Sequence, residues 1–416
     1  MKFLTTLVSG CFLLASLLKG QRTNILDEAF LGSIRAEAAQ NHPSLQSAES
    51  RVKAAGLDIA GSRLWEDPMV GIGFMAADQM MRADDGDIMV GFEQTFPKPG
   101  LYEANLIKSE AMRRAEMEKA RAAGIQSGVE ATMVAIELAL SDEIVRLSSG
   151  EIAWLREMES NARDLALDPA ATSIDSIRLA SEVARSEQSL DAAGRSRKGF
   201  EQKLNLVLGR TLGNSWRTLR LPVSSPPVPQ AASEVARIAY ANPQVRTLRE
   251  MANASRAEVR IADRERQPAI SVGVDTALYS GGDFRSTTLG VKMTIPWFNR
   301  DSNQARIDAA QFRADAATAD IEVLRREVAT QVITAVTEAA NAAAQARAYG
   351  GEIRQKAIEA NQTLEASWII SKAPLTDLLE SRRLLFSVDL EQRRFIAMQL
   401  AAVEKLNLLV PIQISK

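Results

Sequence analysis

The feature that most constrains the fold of this chain is an internal duplication. The stretch GDIMVGFEQTFPKPG, residues 86–100, returns in outline as TTLGVKMTIPWFNRD, residues 287–301, with Gly, Thr and Pro at matching intervals. Near the end of each half, KLNLVLG at position 203 is answered by KLNLLVP at position 405. Because the offset stays close to two hundred residues throughout, we interpret the chain as two copies of one structural unit.

The duplication sets the organisation of the whole chain. Residues 27–210 form the first repeat and residues 233–411 the second, joined by a Ser- and Pro-rich connector over residues 211–232. Prolines fall on prolines when the two repeats are aligned, namely Pro43 on Pro243 and Pro68 on Pro268.

Two short segments in each repeat alternate between apolar and polar residues, which is the pattern of β-strands. Ten residues is the length of a tilted strand that crosses a bilayer, with its apolar side chains turned outward. A soluble sheet with one wet face fits the same alternation. The four predicted strands cover residues 68–77, 86–96, 269–279 and 284–296.

The remainder of each repeat predicts helix, because proline is missing over long stretches and apolar residues recur every three or four positions. Each long helix stops at a proline, and a shorter helix returns. The predicted long helices cover residues 101–167 and 302–370, and the returning helices cover residues 173–209 and 375–409.

Composition removes several classes of function. The chain has 50 basic and 52 acidic residues and no long basic run, so we expect no nucleic-acid partner. Its single cysteine, Cys11, and single histidine, His42, leave no Cys/His metal site and no Cys/His nucleophile pair. Adjacent carboxylates such as Asp84–Asp85 and Asp142–Glu143 are interpreted as solvated charge. We therefore predict neither an enzyme nor a cofactor, and assign no metal ligands.

The N-terminus carries the pattern of an export signal. Lys2 precedes an apolar run that ends at Lys19, so residues 1–20 are predicted to be a signal peptide. The residues leading to Cys11 resemble a lipoprotein signal, which makes Cys11 a lipidation candidate; ordinary cleavage near Gly20 is the alternative. Further along, no apolar run approaches the roughly 20 residues of a transmembrane helix, so strands are expected to make any membrane crossing.

The order of helix, hairpin, long helix, breaker turn and returning helix, present twice, resembles the TolC-type outer membrane efflux proteins. The stretches DPMVGIGFM, FEQTFPKPGLYEA and KLNLLV carry the resemblance together with the duplication. The first hairpin is most similar to the branch that exports heavy-metal cations. The resemblance implies a mostly α fold with a transmembrane β-barrel portion, in which three chains build a twelve-stranded barrel on a long α-helical barrel.

Strand pairing gives a separate reason to expect oligomers. Four strands per chain leave sheet edges whose backbone groups have no partner in lipid, so closure needs further copies. Three or four chains would both satisfy this argument, and the number three comes from the family.

The resemblance also implies a function and partners. The chain is expected to be the outer membrane channel of a tripartite efflux system, a passive exit duct for metal cations or small toxic compounds. It would lie in outer membrane lipid with its helices in the periplasm, and would work with a periplasmic adaptor and an inner membrane pump, of the RND type. A periplasmic adaptor or a structural coiled-coil protein outside the membrane are the alternatives.

Candidate site residues follow from the same resemblance. The narrow end of the duct is expected at the periplasmic tip, where Asp377 and Glu380, three residues apart on one helical face, line the constriction. Asp175 is the equivalent of Asp377 in the first repeat. Both aspartates could instead simply start helices after the breaker prolines.

The gate region of the family falls on Trp368, Pro374 and Pro169. Trp368 takes the place of a gate tyrosine, and Ala373 takes the place of a gate arginine, so the family's latch of hydrogen bonds is not expected unchanged.

Charged residues on the inward face of the predicted strands are candidates for the lumen of the barrel. Three methionines share that face, and thioethers suit soft ions such as Cu(I) or Ag(I), although Met also fills gaps. The lumen candidates are Asp87, Glu93, Asp275 and Lys292, and the methionines are Met69, Met75 and Met89.

Overall fold

A computed structural model describes residues 25–75, 87–165, 174–223, 241–279 and 282–410. The chain divides into two compact units, each containing parts of both repeats. The helical unit comprises Met1–Pro43, Gly124–Ala236 and Thr330–Lys416, and the sheet unit comprises Ser44–Ala123 and Arg237–Ala329. The predicted signal peptide with Cys11, Asp84–Asp85 and the breaker Pro169 lie outside the described residues.

The described part of the chain is mostly helical, with two strand hairpins, which confirms the predicted fold class. Among these residues no helix is both long and apolar enough to span a membrane. In chain order the elements are α1 (Glu28–Asn41), α2 (Pro43–Gly61), β1 (Met69–Met75), β2 (Asp87–Thr95), α3 (Leu101–Leu165), α4 (Ile174–Val207), α5 (Pro243–Glu265), β3 (Ile270–Tyr279), β4 (Phe284–Met293), a 3-10 turn (Pro296–Asn299), α6 (Arg300–Gly350), α7 (Glu352–Ile369) and α8 (Leu375–Leu409).

The four strands form one antiparallel sheet in the order β1-β2-β3-β4. The hairpins of the two repeats join through β2 and β3, where Glu93 lies opposite Gly273. One face of the sheet exposes a continuous set of large apolar side chains, an arrangement that marks a contact surface for protein or lipid. Its members include Val70, Ile72, Phe74, Val90, Phe92, Leu289 and Val291.

The core of the helical unit forms around the N-terminal helix α1. Asp27 caps this helix by accepting a 2.7 Å hydrogen bond from the Phe30 amide. Leu26 donates its amide to the carbonyl of Arg220 at 2.8 Å, which ties the start of the chain to the connector. Buried side chains from α1, α3, α4, α6, α8 and the connector pack together, including Leu31, Ile34, Val134, Leu138, Leu204, Leu208, Leu219, Ala346 and Ile396.

Two acidic residues in this unit correct the sequence interpretation. Asp142 and Glu143 are each only 4% exposed, so the prediction of solvated charge was wrong. Asp142 accepts 2.5 Å and 2.8 Å hydrogen bonds from the Arg197 side chain and the Leu219 amide. Glu143 accepts from Arg146 at 2.9 Å. Asp142 therefore holds the connector against α3 through partners 55 and 77 residues away in sequence, whereas Glu143 bonds to Arg146 within α3.

The second long helix differs from the prediction of one helix over residues 302–370. It is divided between α6 and α7 at Gly350 and Gly351, and Gly351 has non-helical backbone angles of φ −100° and ψ −116°. The first repeat has Ser149 and Gly150 at this point, and α3 continues through them. Two adjacent glycines lack side-chain packing and carry a large entropic cost in a helix, which favours the break.

Candidate functional site

The turn between α7 and α8 positions the predicted constriction residues. Ser371 has a left-handed backbone with φ 57°, and its amide donates to the Trp368 carbonyl at 2.9 Å. The next amide, of Lys372, donates to the Ser367 carbonyl at 2.8 Å. These two bonds form a Schellman motif, which satisfies the last carbonyls of α7 and reverses the chain. Pro374 then takes the N-cap position of α8 with an extended backbone.

Asp377 and Glu380 lie together on the solvent side of the first turns of α8, while Leu375 and Leu378 on the same turns are buried. Thr376 donates its hydroxyl to Asp377 at 3.3 Å. No described cation forms an ion pair with either carboxylate. The apolar side of the helix therefore fixes the direction in which both carboxylates face.

The first repeat presents a different charge at the equivalent place. Asp175 lies in the first turn of α4 and is half-buried. Arg178, three residues later and exposed, occupies the position that Glu380 holds in the second repeat. Sequence reasoning missed Arg178, although the repeat offset of 202 residues identifies it. The tip consequently carries two acidic side chains in one repeat and one of each sign in the other.

Trp368, predicted in the gate region, lies inside the tip of the helical unit with only 4% of its surface exposed. It packs in a core cluster, called here the tip core, so its side chain supports the turn from beneath. The tip core contains Leu155, Met158, Ala162, Leu179, Val183, Trp368, Leu375, Leu378 and Leu379.

A polar network joins the helices beside the tip core. Arg382 on α8 donates its Nε to Glu151 on α3 at 2.7 Å, and the neighbouring Arg383 donates to Glu182 on α4 at 2.6 Å. Burial raises the pKa of Glu151, against the opposing influence of Arg382. The sequence offered no signal for these pairs, because the partners lie 231 and 201 residues apart.

The face of the sheet that is predicted to turn inward brings two lumen candidates together. Lys292 on β4 donates its Nζ to Glu93 on β2 at 2.5 Å. The pair reaches diagonally across β3, where Gly273 lies opposite Glu93 and Ser271 lies opposite Lys292. Asp275 lies opposite Gly91 on the same face. Asp87 pairs by its backbone with Tyr279 at the far end of the strand.

Methionines accompany these charges. Met69 is 60% exposed and lies opposite Glu93, and Met89, opposite Gly73, is 39% exposed. Within the described ranges, no group of three or more His, Cys, Asp or Glu side chains is arranged to hold a metal ion. Met69 and Met89 place on this face the thioether ligands that soft metal ions prefer.

Comparison with known proteins gives one partial family match and several structural likenesses. Residues 236–410 match the model of the outer membrane efflux protein family. No curated relative matches the chain. The chain is similar in structure to CusC, described as forming a transmembrane channel, with a TM-score of 0.81 at 15% identity over 91% of each chain.

Two further solved structures are similar. The outer-membrane channel OprN gives a TM-score of 0.78 at 16% identity, over 92% of this chain and 90% of that one. The CmeC outer membrane channel of Campylobacter jejuni gives 0.77 at 12% identity, over 91% and 85%. At such low identity these three likenesses establish a shared fold.

Proposed function

We propose that this chain is an outer membrane efflux channel of the TolC family, which assembles as a homotrimer and serves as the passive exit duct of a tripartite system. The observation that carries the proposal is the four-stranded sheet, which ends at β1 and β4 and exposes an apolar face. Three such sheets, joined edge to edge, supply twelve strands and leave no edge unpaired in lipid. The same face supplies the apolar belt that lipid requires.

The tip carboxylates give the duct a charge filter. In a trimer, Asp377 and Glu380 form two acidic rings of three carboxylates each, and like charges brought close together attract cations to the constriction. Asp175 adds a carboxylate in the first repeat, and Arg178 opposes it. On this account the constriction prefers cations and is blocked by multivalent ones.

The proposed cargo follows from the metal-binding side chains along the duct. Carboxylates suit metal cations in general, and Met69 and Met89 on the inward sheet face offer the soft thioether ligands that Cu(I) and Ag(I) prefer. We therefore propose metal cations as cargo, with small toxic organic compounds as the alternative. A periplasmic adaptor and an inner membrane pump of the RND type complete the proposed assembly.

Metal tolerance separates these cargoes. A strain that lacks the chain should become sensitive to copper and silver salts, and the wild-type gene should restore tolerance. Replacing Met69→Leu and Met89→Leu together should reduce restored copper tolerance, while the exposed Met398→Leu on α8 serves as the matched control. Sensitivity to organic compounds alone would assign the organic cargo.

Fractionation tests the assembly independently of cargo. The proposal requires heat-modifiable, SDS-resistant trimers in the outer membrane fraction. A stable monomer in the periplasmic fraction would favour an adaptor or a structural coiled coil instead.

A further inference from the structure

Helix α5 of the sheet unit carries a row of arginines on its solvent side. The exposed positions follow steps of seven, four and four residues, which keeps them on one face of a helix. At 1.5 Å per residue the row is about 22 Å long. Its members, called here the arginine stripe, are Arg249, Arg256, Arg260 and Arg264.

Two of the acidic residues of α5 pair with basic residues outside the stripe. Glu250 accepts a 2.8 Å hydrogen bond from Arg114, and Glu258 pairs with Lys108 at 2.9 Å, both on α3. These contacts occupy one flank of α5. Arg264 lies 3.9 Å from Asp263 of its own helix, but no described carboxylate of α5 pairs with Arg249, Arg256 or Arg260.

The other flank of α5 meets α6. Arg256 donates to Thr318 of α6 at 3.5 Å. Within α5 itself, Arg256 donates to Asn253 at 3.2 Å and Arg264 lies 3.9 Å from Asp263. No described residue pairs with Arg249 or Arg260. Arg249 and Arg260 border grooves between α5 and α3 and remain exposed there.

The fold does not require these arginines. With Pro43 aligned on Pro243, the first repeat has other residues at the four positions, the first three on α2 and the fourth just beyond its end. Packing alone therefore does not explain the stripe. The counterparts are Glu49, Gly56, Ala60 and Leu64.

The length of the stripe indicates the kind of ligand. Strand β3 begins at Ile270, five residues after α5 ends, so lipid headgroups lie near Arg264 at most. A headgroup layer is only about 6 Å thick, which leaves Arg249 and Arg256 beyond its reach. An extended anion that presents several carboxylates along about 16 Å matches the spacing from Arg249 to Arg260, and arginine binds carboxylate through paired hydrogen bonds.

We propose that the arginine stripe binds the carboxylate-bearing polymer of the cell wall, peptidoglycan, and so fixes the channel in the periplasmic layer beneath the outer membrane. The proposal rests on the proposed periplasmic placement of the helices. It adds an anchoring surface that conduction itself does not need.

Co-sedimentation with isolated peptidoglycan sacculi tests the proposal. The purified full chain should sediment with sacculi, and raised salt should weaken binding. The triple variant Arg249→Gln, Arg256→Gln, Arg260→Gln should lose at least about tenfold in apparent affinity, because the main charge contacts are removed. The double variant Arg249→Gln, Arg260→Gln, which breaks no described contact, should lose part of it.

A matched control removes the same charge elsewhere. Arg113, Arg306 and Arg313 are exposed on α3 and α6, and their triple replacement by Gln should bind sacculi like the wild type. Equal binding of sacculi by the wild type and the stripe variant would overturn the proposal. A control variant that lost as much binding as the stripe variant would also overturn it.

Planar bilayer recordings keep this test separate from the proposed function. Stripe variants should conduct with unchanged ion selectivity, whereas a wild type that neither trimerises nor conducts would reject the channel itself. Altered ion selectivity in a stripe variant would show that the arginines face the pore, and would overturn the anchoring proposal. If the stripe variant still bound sacculi but no longer co-purified with the adaptor, the stripe would bind an acidic protein. That result would also overturn the anchoring proposal.

Discussion

The guanidinium of Arg382 lies 4.5 Å from the ring centroid of Trp154, while its Nε donates a 2.7 Å hydrogen bond to Glu151. Trp154 in turn donates its indole N–H to Glu365 on α7 at 3.1 Å. One arginine therefore connects α8 with α3 by a cation–π contact and an ion pair, and the tryptophan extends the connection to α7. This network holds the turn that presents Asp377.

Replacing Arg382→Gln should destabilise the tip. The change leaves the buried carboxylate of Glu151 without its counterion and removes the contact with Trp154, at a cost of about 2–4 kcal/mol. Thermal unfolding followed by circular dichroism in detergent measures the loss. The matched control is Arg156→Gln, which breaks the exposed pair with Glu187 and should cost about 0.5 kcal/mol or less. Equal losses from the two variants would exclude a special role for Arg382.

Stability should also depend on pH through Glu404. Thr132 donates to this buried residue at 2.8 Å, yet burial raises its pKa above the ordinary 4.5. A folded-state pKa above the unfolded value means that the folded chain binds the proton more tightly. Stability from this group is therefore gained as pH falls through the folded pKa, and lost as pH rises through it.

The variant Glu404→Gln cannot titrate and should flatten the dependence of Tm on pH over this window. Glu338→Gln, at an exposed ion pair with Lys405, should leave the dependence unchanged. Since burial raises the pKa of Glu151 as well, part of the slope should remain in the variant. An unchanged slope in Glu404→Gln would show that Glu404 does not contribute.

Hydrophobic periodicity and the positions of breaker residues in the sequence predicted the helices and strands closely. The strand predicted over residues 68–77 is observed at Met69–Met75, and the returning helix predicted over 375–409 is observed at Leu375–Leu409. These features are local, since alternation, proline breaks and the repeat register can be read within one window. The break at Gly350–Gly351 is also local, since two adjacent glycines disfavour a helix, but the helical pattern on both sides predicts one continuous helix.

The side-chain contacts of the site could not be predicted in the same way. Asp142 was interpreted as solvated, yet its partner Arg197 lies 55 residues away and only the packing of α3 against α4 brings them together. The pair of Arg382 with Glu151 joins the two repeats for the same reason. Such contacts depend on tertiary packing, which hydrophobic period alone does not determine.

If the apolar face of the sheet contacts lipid, arginine substitutions on that face should impair the trimer more than arginine substitutions on the opposite face. Val90→Arg should cost about 2–4 kcal/mol if the position lies near the bilayer midplane, because a guanidinium would enter the apolar belt. Thr288→Arg, on the inward face opposite Asp275, should be tolerated. Glu93→Arg is a poor control because Lys292 already pairs with Glu93. Yields of SDS-resistant trimer compare the variants, and similar yields from Val90→Arg and Thr288→Arg would reject the assigned faces.

The left-handed backbone at Ser371 predicts a stabilising substitution. Glycine adopts φ 57° without steric cost and is the preferred residue at this position of a Schellman motif, so Ser371→Gly should stabilise the helical unit by about 0.5–1 kcal/mol. The nearby half-buried Ser367, inside α7, serves as control, since Ser367→Gly should destabilise the helix. Thermal unfolding at fixed pH measures both, and a lower Tm for Ser371→Gly would contradict the prediction.

Ion selectivity of the trimer in planar bilayers tests the central claim most directly. The wild type should conduct, prefer cations and be blocked by trivalent cations. The double variant Asp377→Asn, Glu380→Gln keeps size but removes six carboxylate charges from the proposed constriction, so it should assemble normally and lose most of the cation preference and the block. Asp308→Asn with Asp315→Asn removes the same charge from exposed positions on α6 and should change neither. If Asp377→Asn, Glu380→Gln kept the wild-type reversal potential and the block by trivalent cations, the account would be contradicted. The result would show that these carboxylates do not face the pore.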